Sequence, residues 1–214
     1  AVLPLQDVTA AVAEVERVAS LPALRGVVIP AKPLGQAIDD PRWEPLWAAL
    51  DRAGMPISLH PEETVGGDDL GGHGSLLHLA LGFPFETTTA AARLGAAGIL
   101  ERYPNLRWLL PHGGGTLPYL LGRLRHLGRV TSRPFPEEPR NLWYDALVYD
   151  PAVLPLLVAQ AGSGNLVYGT DHPFAPPDPD RIHRVLRETD LAEADRQRIA
   201  HLNAERLFNL GQPG

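Results

Sequence analysis

Three residues able to bind a metal ion or to transfer a proton follow short apolar runs of the sequence. His60 and His112 come at the ends of two such runs, and Asp171 ends a third. Imidazole has a pKa suited to proton transfer near neutral pH, and both imidazole and carboxylate bind divalent ions. Such a set without thiolates is typical of zinc, or of a similar ion, with one position open for water. Each residue alone has an ordinary alternative, because a polar residue at a strand end often only bonds its own loop.

Alternating strands and helices must position these residues. The apolar runs predict strands at residues 24–30, 55–60, 106–110, 141–147 and 165–171, and the tail of one more at residues 1–3. Helical spacing and turn residues predict helices at residues 6–20, 41–53, 86–102, 116–128, 151–160, 180–189 and 192–210. This alternation is typical of a parallel sheet covered by helices. The chain shows no linker and no internal repeat, so we expect residues 1–214 to form a single domain.

The predicted topology brings the three residues together. Parallel strands joined by right-handed crossovers place their carboxyl ends at one edge of the sheet, where ligands bind in α/β proteins. We therefore expect the side chains of His60, His112 and Asp171 to lie within about 10 Å of one another, a few times the metal–ligand distance of roughly 2 Å. A larger separation would remove the hypothesis of a shared site.

The turn after the third complete strand has an unusual composition. His112 is followed by three glycines and by Thr116, which precedes a predicted helix. The glycines allow a tight turn and close approach of the backbone, and Thr116 can cap the helix. A phosphate site at this helix start is an alternative, but no lysine follows the glycines. We expect His112 to lie where a buried strand ends and a helix begins.

Bulk composition excludes several classes of protein. The chain has 214 residues, of which 44% are hydrophobic, and this is enough for a large core. The formal net charge is −6 and no basic block occurs, which argues against a nucleic-acid partner. No apolar run approaches the roughly 20 residues that span a membrane. Cysteine is absent, which excludes thiol chemistry and is typical of a cytoplasmic protein.

Linked motifs give the chain a family resemblance. His112-Gly113-Gly114-Gly115, with Pro118 and Arg123, resembles the HGGG-xx-P-xxxx-R motif of the amidohydrolase superfamily. The branch it resembles contains aminocarboxymuconate-semialdehyde decarboxylase and the resorcylate-type decarboxylases. Further motifs follow in matching order: Glu86-Thr87-Thr88, Tyr103-Pro104-Asn105-Leu106, Gly169-Thr170-Asp171-His172-Pro173-Phe174 and Asn203-Ala204-Glu205-Arg206-Leu207-Phe208. The resemblance implies a TIM-like (β/α)8 barrel of the metal-dependent hydrolase type, with one divalent metal ion.

The resemblance also implies roles for five residues. His60 and Asp171 are similar to metal ligands of the fifth and eighth strands, and Asp171 also passes a proton. His112 resembles the catalytic histidine that acts as general base and then as general acid. Arg123 resembles an arginine that binds the substrate carboxylate in the site of the neighbouring subunit, and Phe174 resembles an aromatic residue that lines the pocket.

One part of the family pattern is missing. The first strand of the family carries a His-x-His pair of metal ligands, and this sequence contains no His-x-His. If Asp171 ends strand eight, residues 1–3 belong to strand three. We therefore expect an N-terminally incomplete barrel of strands three to eight, without the first two strands and their ligand pair.

Three functions are compatible with these residues. The first is a metal-dependent, non-oxidative decarboxylase of a small unsaturated or aromatic carboxylic acid, with Zn²⁺ as the expected ion. The second is a metal-dependent hydrolase that opens a lactone, ester or amide. The third is a metal-poor remnant that acts as a binding module, which the missing His-x-His favours and the three remaining site residues oppose. A homodimer is expected from the resemblance and from the apolar surface predicted for Leu117, Leu120, Leu121 and Leu124.

Overall fold

The computed structural model describes residues 1–62, 67–73, 75–129, 133, 135–137, 139–174, 178 and 180–211. Within these residues, five parallel strands form one sheet in chain order. They are β1 (Val27–Pro30), β2 (Ile57–His60), β3 (Trp108–Leu110), β4 (Leu142–Asp145) and β5 (Leu166–Val167). Because all four pairings are parallel, all carboxyl ends lie at the same edge.

The predicted tail of a further strand lies beside this sheet. Val2 forms a single parallel bridge with Val28 of β1. The Val28 N–H donates to the Ala1 carbonyl, whereas the Val27 N–H donates to the carbonyl of Pro56, the residue just before β2. The N-terminal residues therefore pair with β1 on the side away from β2.

Helices connect and cover the strands. They are α1 (Val8–Ala19), α2 (Glu44–Ala53), α3 (Phe83–Ala96), α4 (Ile99–Arg102), α5 (Leu117–Gly128), α6 (Leu154–Ala161), α7 (Arg181–Glu188), α8 (Glu193–Gln197) and α9 (Asn203–Leu207). The predicted terminal helix is divided, since a π-helical turn at Arg198–Leu202 joins α8 to α9. None of the helices in the described residues is long and apolar enough to cross a membrane.

Buried aromatic residues pack the sheet against its helices. Trp47 of α2 and Trp108 of β3 are both fully buried and meet edge to face, with ring centroids 5.1 Å apart. Buried residues alternate with less buried ones along β1, β2 and β3, so one face of this part of the sheet packs into the core and the other is less covered.

Two strands end earlier than predicted, for different reasons. β4 ends at Asp145 because the side chain of this residue accepts the N–H of Leu147 and turns the chain. β5 contains only Leu166–Val167, because the N–H of the next residue, Tyr168, donates to the Ile199 carbonyl outside the sheet. Asp171 has a φ of 58°, which is incompatible with an extended strand. Asp171 therefore belongs to the loop after β5, and the prediction that it ends a strand was wrong.

The predicted apolar surface of α5 was also wrong in part. Leu117 and Leu121 are fully buried in the core. The exposed side of the helix carries Tyr119, Arg123 and Leu127 instead, with Tyr119 79% exposed. The helical repeat of 3.6 residues places these two sets on opposite sides.

Candidate metal and catalytic site

His60, His112 and Asp171 meet at the carboxyl edge of the sheet. His60 Nε2 lies 3.9 Å from Asp171 Oδ1, and His112 Nε2 lies 3.6 Å from Asp171 Oδ2. The two imidazole rings are 6.5 Å apart between centroids. The predicted convergence is therefore confirmed, and the carboxylate lies between the two histidines.

Different backbone conformations deliver the three side chains. His60 is the last residue of β2, where its carbonyl accepts the N–H of Ala31. His112 and Asp171 follow their strands in loops and have φ values of 55° and 58°. A left-handed conformation at a residue other than glycine costs about 1–2 kcal/mol and persists where the surrounding structure imposes it. The fold therefore spends stability to hold two of the three side chains in place.

The glycine-rich turn after His112 packs tightly against its neighbours. Gly115 has a φ of 64°, and a Cβ added there would overlap the carbonyl oxygen of Pro84 and lie 2.7 Å from Thr88 Oγ1. Thr116 occupies the N-cap position of α5, but its side chain makes no capping bond, contrary to the prediction. Its N–H donates instead to Thr88 Oγ1 at 2.8 Å, and the two hydroxyl groups are 3.0 Å apart.

Asp145 is a site residue that the sequence analysis missed. Its Oδ1 accepts the N–H of Gly113 at 2.8 Å and the N–H of Leu147 at 3.1 Å. Burial raises the pKa of this carboxyl group, and the backbone hydrogen bonds and the nearby His112 oppose the increase. Asp145 is an aspartate at the end of a fourth strand, which is the pattern that identified the other site residues. It was missed because the predicted strand continued to residue 147.

The ring of His112 has one defined polar neighbour. Its Nε2 faces the Asp171 carboxylate, while its buried Nδ1 has no hydrogen-bond partner among the described residues. The orientation of the ring is therefore set by packing and by the backbone of the turn. A histidine whose Nε2 points into a half-open site can take up and release a proton there.

His60 and Asp171 fit part of a metal site. Their facing atoms are 3.9 Å apart, too far for a hydrogen bond. Two ligand atoms that are each about 2 Å from one ion are separated by about this amount or less, so an ion fits between them. Within the described ranges, however, no group of three or more His, Asp or Glu side chains has the spacing of a metal site. These two residues therefore provide two ligands, and the described part of the chain does not complete a set of three.

The two predicted substrate-binding residues differ in their relation to this site. The Phe174 ring lies nearly parallel to that of His60, with centroids 6.4 Å apart, and its side chain is 66% exposed. It is therefore placed to pack against a flat molecule. Arg123 projects from the exposed side of α5, and none of the ion pairs found among the described residues involves it. The structure thus places Phe174 beside the site, and the substrate-binding role of Arg123 stays a prediction.

Comparisons with known proteins agree with this geometry. The model of the amidohydrolase family matches residues 1–210. The 2-amino-3-carboxymuconate-6-semialdehyde decarboxylase of Dictyostelium discoideum is 32% identical over 182 residues, which cover 80% of this chain and 50% of the relative. The chain thus spans only half the length of that relative.

Solved structures show the same arrangement of strands and helices. The apo form of IDCase from Metarhizium anisopliae has a TM-score of 0.88 and 33% identity, over 99% of this chain and 64% of the other. A dihydroxybenzoic acid decarboxylase of a Polaromonas species, with bound manganese and the inhibitor 2-nitroresorcinol, has a TM-score of 0.85 and 26% identity, over 99% and 68%. The five-stranded sheet is the corresponding part of their α/β barrel, as the incomplete-barrel prediction required. With the family model matching almost its entire length, the chain belongs to the amidohydrolase family.

Proposed function

We propose that the protein is a metal-dependent, non-oxidative decarboxylase of small aromatic hydroxy acids. The observation that carries this proposal is the convergence of His112 on the pair His60 and Asp171, with Nε2 of His112 3.6 Å from the Asp171 carboxylate. The similarity to a carboxymuconate-semialdehyde decarboxylase and to a dihydroxybenzoic acid decarboxylase supports it. A proton donor next to a metal-type ligand pair suits the loss of a carboxylate from an aromatic ring, because the ring carbon must be protonated and a metal ion can orient the acid.

The residues of this chain have separate parts in such a reaction. Phe174 packs against the aromatic ring of the acid. His112 delivers a proton from Nε2 to the ring carbon that bears the carboxylate. The bond to the carboxylate then breaks, its electron pair returns to the ring, and carbon dioxide leaves. The Asp171 carboxylate, 3.6 Å from Nε2, stabilises the positive charge of the imidazole while it carries the proton.

His60 and Asp171 would hold a divalent metal ion at this site. When bound, such an ion orients and polarises the phenolic and carboxylate oxygens of the acid. Zinc was the expected ion, but the relative with 2-nitroresorcinol contains manganese. Carboxylate and imidazole ligands suit both ions, so manganese is the first ion to test.

A homodimer through the exposed side of α5 is part of this proposal. Tyr119 and Leu127 are 79% and 42% exposed there, and Arg123 lies between them along the helix. In such a dimer, Arg123 binds the carboxylate of the acid held by the partner subunit.

The test measures carbon dioxide release from 2,6-dihydroxybenzoate in the presence of Mn²⁺. The acid is chosen because 2-nitroresorcinol carries a nitro group where this acid carries its carboxylate. We expect His112→Asn to lower kcat by roughly 100-fold or more, the usual size of a general acid–base contribution. The matched control is His201→Asn, at an exposed histidine in the turn between α8 and α9.

Two results would overturn the proposal. One is that the wild-type protein, at Mn²⁺ concentrations high enough to fill the weak site expected for it, releases no carbon dioxide from 2,6-dihydroxybenzoate or from its dihydroxybenzoate isomers. The other is that the His112 and His201 variants keep equal activity. Opening of a lactone by the same preparation, without release of carbon dioxide, would identify the hydrolase alternative.

A further inference from the structure

We propose that Thr88 and Asp145 are positioning residues that hold the turn carrying His112 from its two ends. Both residues accept N–H groups of the turn and act through its backbone. This inference rests on the proposed role of His112 as the proton donor. It assigns a role to the Glu86-Thr87-Thr88 motif, which the proposed mechanism does not use.

Asp145 fixes the beginning of the turn. Its Oδ1 accepts the N–H of Gly113, the residue after His112, at 2.8 Å. The same oxygen accepts the N–H of Leu147, so the carboxylate is anchored to the end of β4. The Asp145 Cβ also lies 3.1 Å from the position that a Cβ on Gly169 would occupy, two residues before Asp171. Asp145 is therefore packed between the loop that carries His112 and the loop that carries Asp171.

Thr88 fixes the end of the same turn. Its buried Oγ1 accepts the N–H of Thr116 at 2.8 Å and donates to the Pro84 carbonyl at 2.7 Å. Gly115 lies against this carbonyl so closely that a Cβ would overlap it. Residues 115 and 116 thus pack and bond against helix α3.

The need for these anchors follows from the conformation of His112. The residue has a φ of 55°, which is unfavourable for a side chain other than glycine, so the turn must impose it. Its Nδ1 has no hydrogen-bond partner among the described residues, so no bond from the ring itself fixes its orientation. The distance from Nε2 to Asp171 therefore depends on where the backbone is held. Misplacing a reacting group by about 1 Å can cost roughly 100-fold in rate.

The alternative is that both residues only stabilise the loop and leave the chemistry untouched. Helix α3 offers a matched control for this alternative. Thr89 is the next residue, and its hydroxyl makes the same type of bond, to the Phe85 carbonyl at 2.8 Å. Thr89 is exposed, and its hydroxyl bonds its own helix. Thr88→Val and Thr89→Val therefore differ chiefly in the loss of the bond to Thr116.

The first experiment compares Thr88→Val, Thr88→Ser and Thr89→Val with the wild type, using 2,6-dihydroxybenzoate and Mn²⁺. We expect Thr88→Val to lower kcat by about 10-fold to 100-fold with KM changed less than about threefold. The serine variant keeps the hydroxyl group and should recover most of the loss. Thr89→Val should match the wild type. Melting temperatures of all variants separate an effect on kcat from unfolding.

The second experiment uses Asp145→Ala and Asp145→Asn in the same assay. The alanine variant loses the acceptor for Gly113, whereas the asparagine variant keeps an oxygen that can accept both N–H groups. We expect the alanine variant to lose kcat as Thr88→Val does, and the asparagine variant to retain more of it.

Ring signals of His112 give a readout that needs no substrate. The ¹H–¹³C resonance of its Cε1 group is assigned by its loss in His112→Asn. We expect this resonance to shift or broaden in Thr88→Val and Asp145→Ala, and to be unchanged in Thr89→Val. If the resonance and kcat in Thr88→Val and Asp145→Ala both match those of Thr89→Val, the inference is overturned. If His112→Asn keeps full activity, the proposed function fails, and the resonance alone decides whether the two residues hold the turn.

Discussion

Replacing Gly115 by alanine should destabilise the fold by about 3 kcal/mol. Its φ of 64° and ψ of −127° lie outside the left-handed helical region and cost an L-residue about 1–3 kcal/mol. The added methyl group overlaps the Pro84 carbonyl oxygen and comes within 2.7 Å of Thr88 Oγ1, and overpacking of this kind costs about 1–3 kcal/mol more. The lower entropy of the unfolded chain offsets about 0.4–1 kcal/mol. The carbonyl cannot retreat easily, since Pro84 lies in the first turn of α3.

Two glycines elsewhere in the chain, which lack the close contact, serve as references. Gly54 has a φ of 61° but no atom within 4 Å of an added Cβ, so Gly54→Ala should cost only about 1 kcal/mol. Gly122 lies within α5 with open space around it, and Gly122→Ala should be neutral or stabilising by up to about 1 kcal/mol. Urea denaturation of the three variants gives the free energies of unfolding. Equal losses for Gly115→Ala and Gly54→Ala would refute the close approach of the turn to α3.

Three further results are expected. In titration calorimetry the chain 1–214 should bind Mn²⁺ far more weakly than a protein site with three ligands does, and Asp171→Asn should abolish binding. Stoichiometric binding at nanomolar affinity by this chain would show the ligand assignment to be wrong. Sedimentation should show a dimer that Tyr119→Glu converts to monomer and that Arg123→Ala preserves; a monomeric wild type would contradict the proposed interface. Hydrogen bonds from Ser163 and Arg198 lower the pKa of Asp195 below its ordinary value of 3.8, so the ionised Asp195 stabilises the fold above pH 3.8, and this stabilisation is lost as the pH falls through the lowered value. Ser163→Ala should reduce that loss in urea unfolding measured on either side of pH 3.8, and an unchanged pH dependence would contradict the assignment.

Local sequence was sufficient to predict the main helices and strands and the convergence of the site residues. Hydrophobic periodicity depends on residues a few positions apart, so it located α1, α2 and the five strands to within a few residues. The hand of parallel crossovers is nearly invariant, so strand ends could be assigned to one edge without coordinates. His60 and His112 therefore came together as predicted, and Asp171 joined them although it lies beyond the end of its strand.

Only the tertiary structure showed what holds the site in place. The bond from Gly113 to Asp145 joins residues 32 positions apart, and the bond from Thr116 to Thr88 joins residues 28 positions apart. Neither bond leaves a periodic signal, because each depends on how a loop packs against a distant element. The same reason applies to Leu117, since which side of α5 faces the core is decided by the position of the whole helix on the sheet. Sequence thus predicted which groups meet at the candidate site, and packing over long sequence separations decided their orientation.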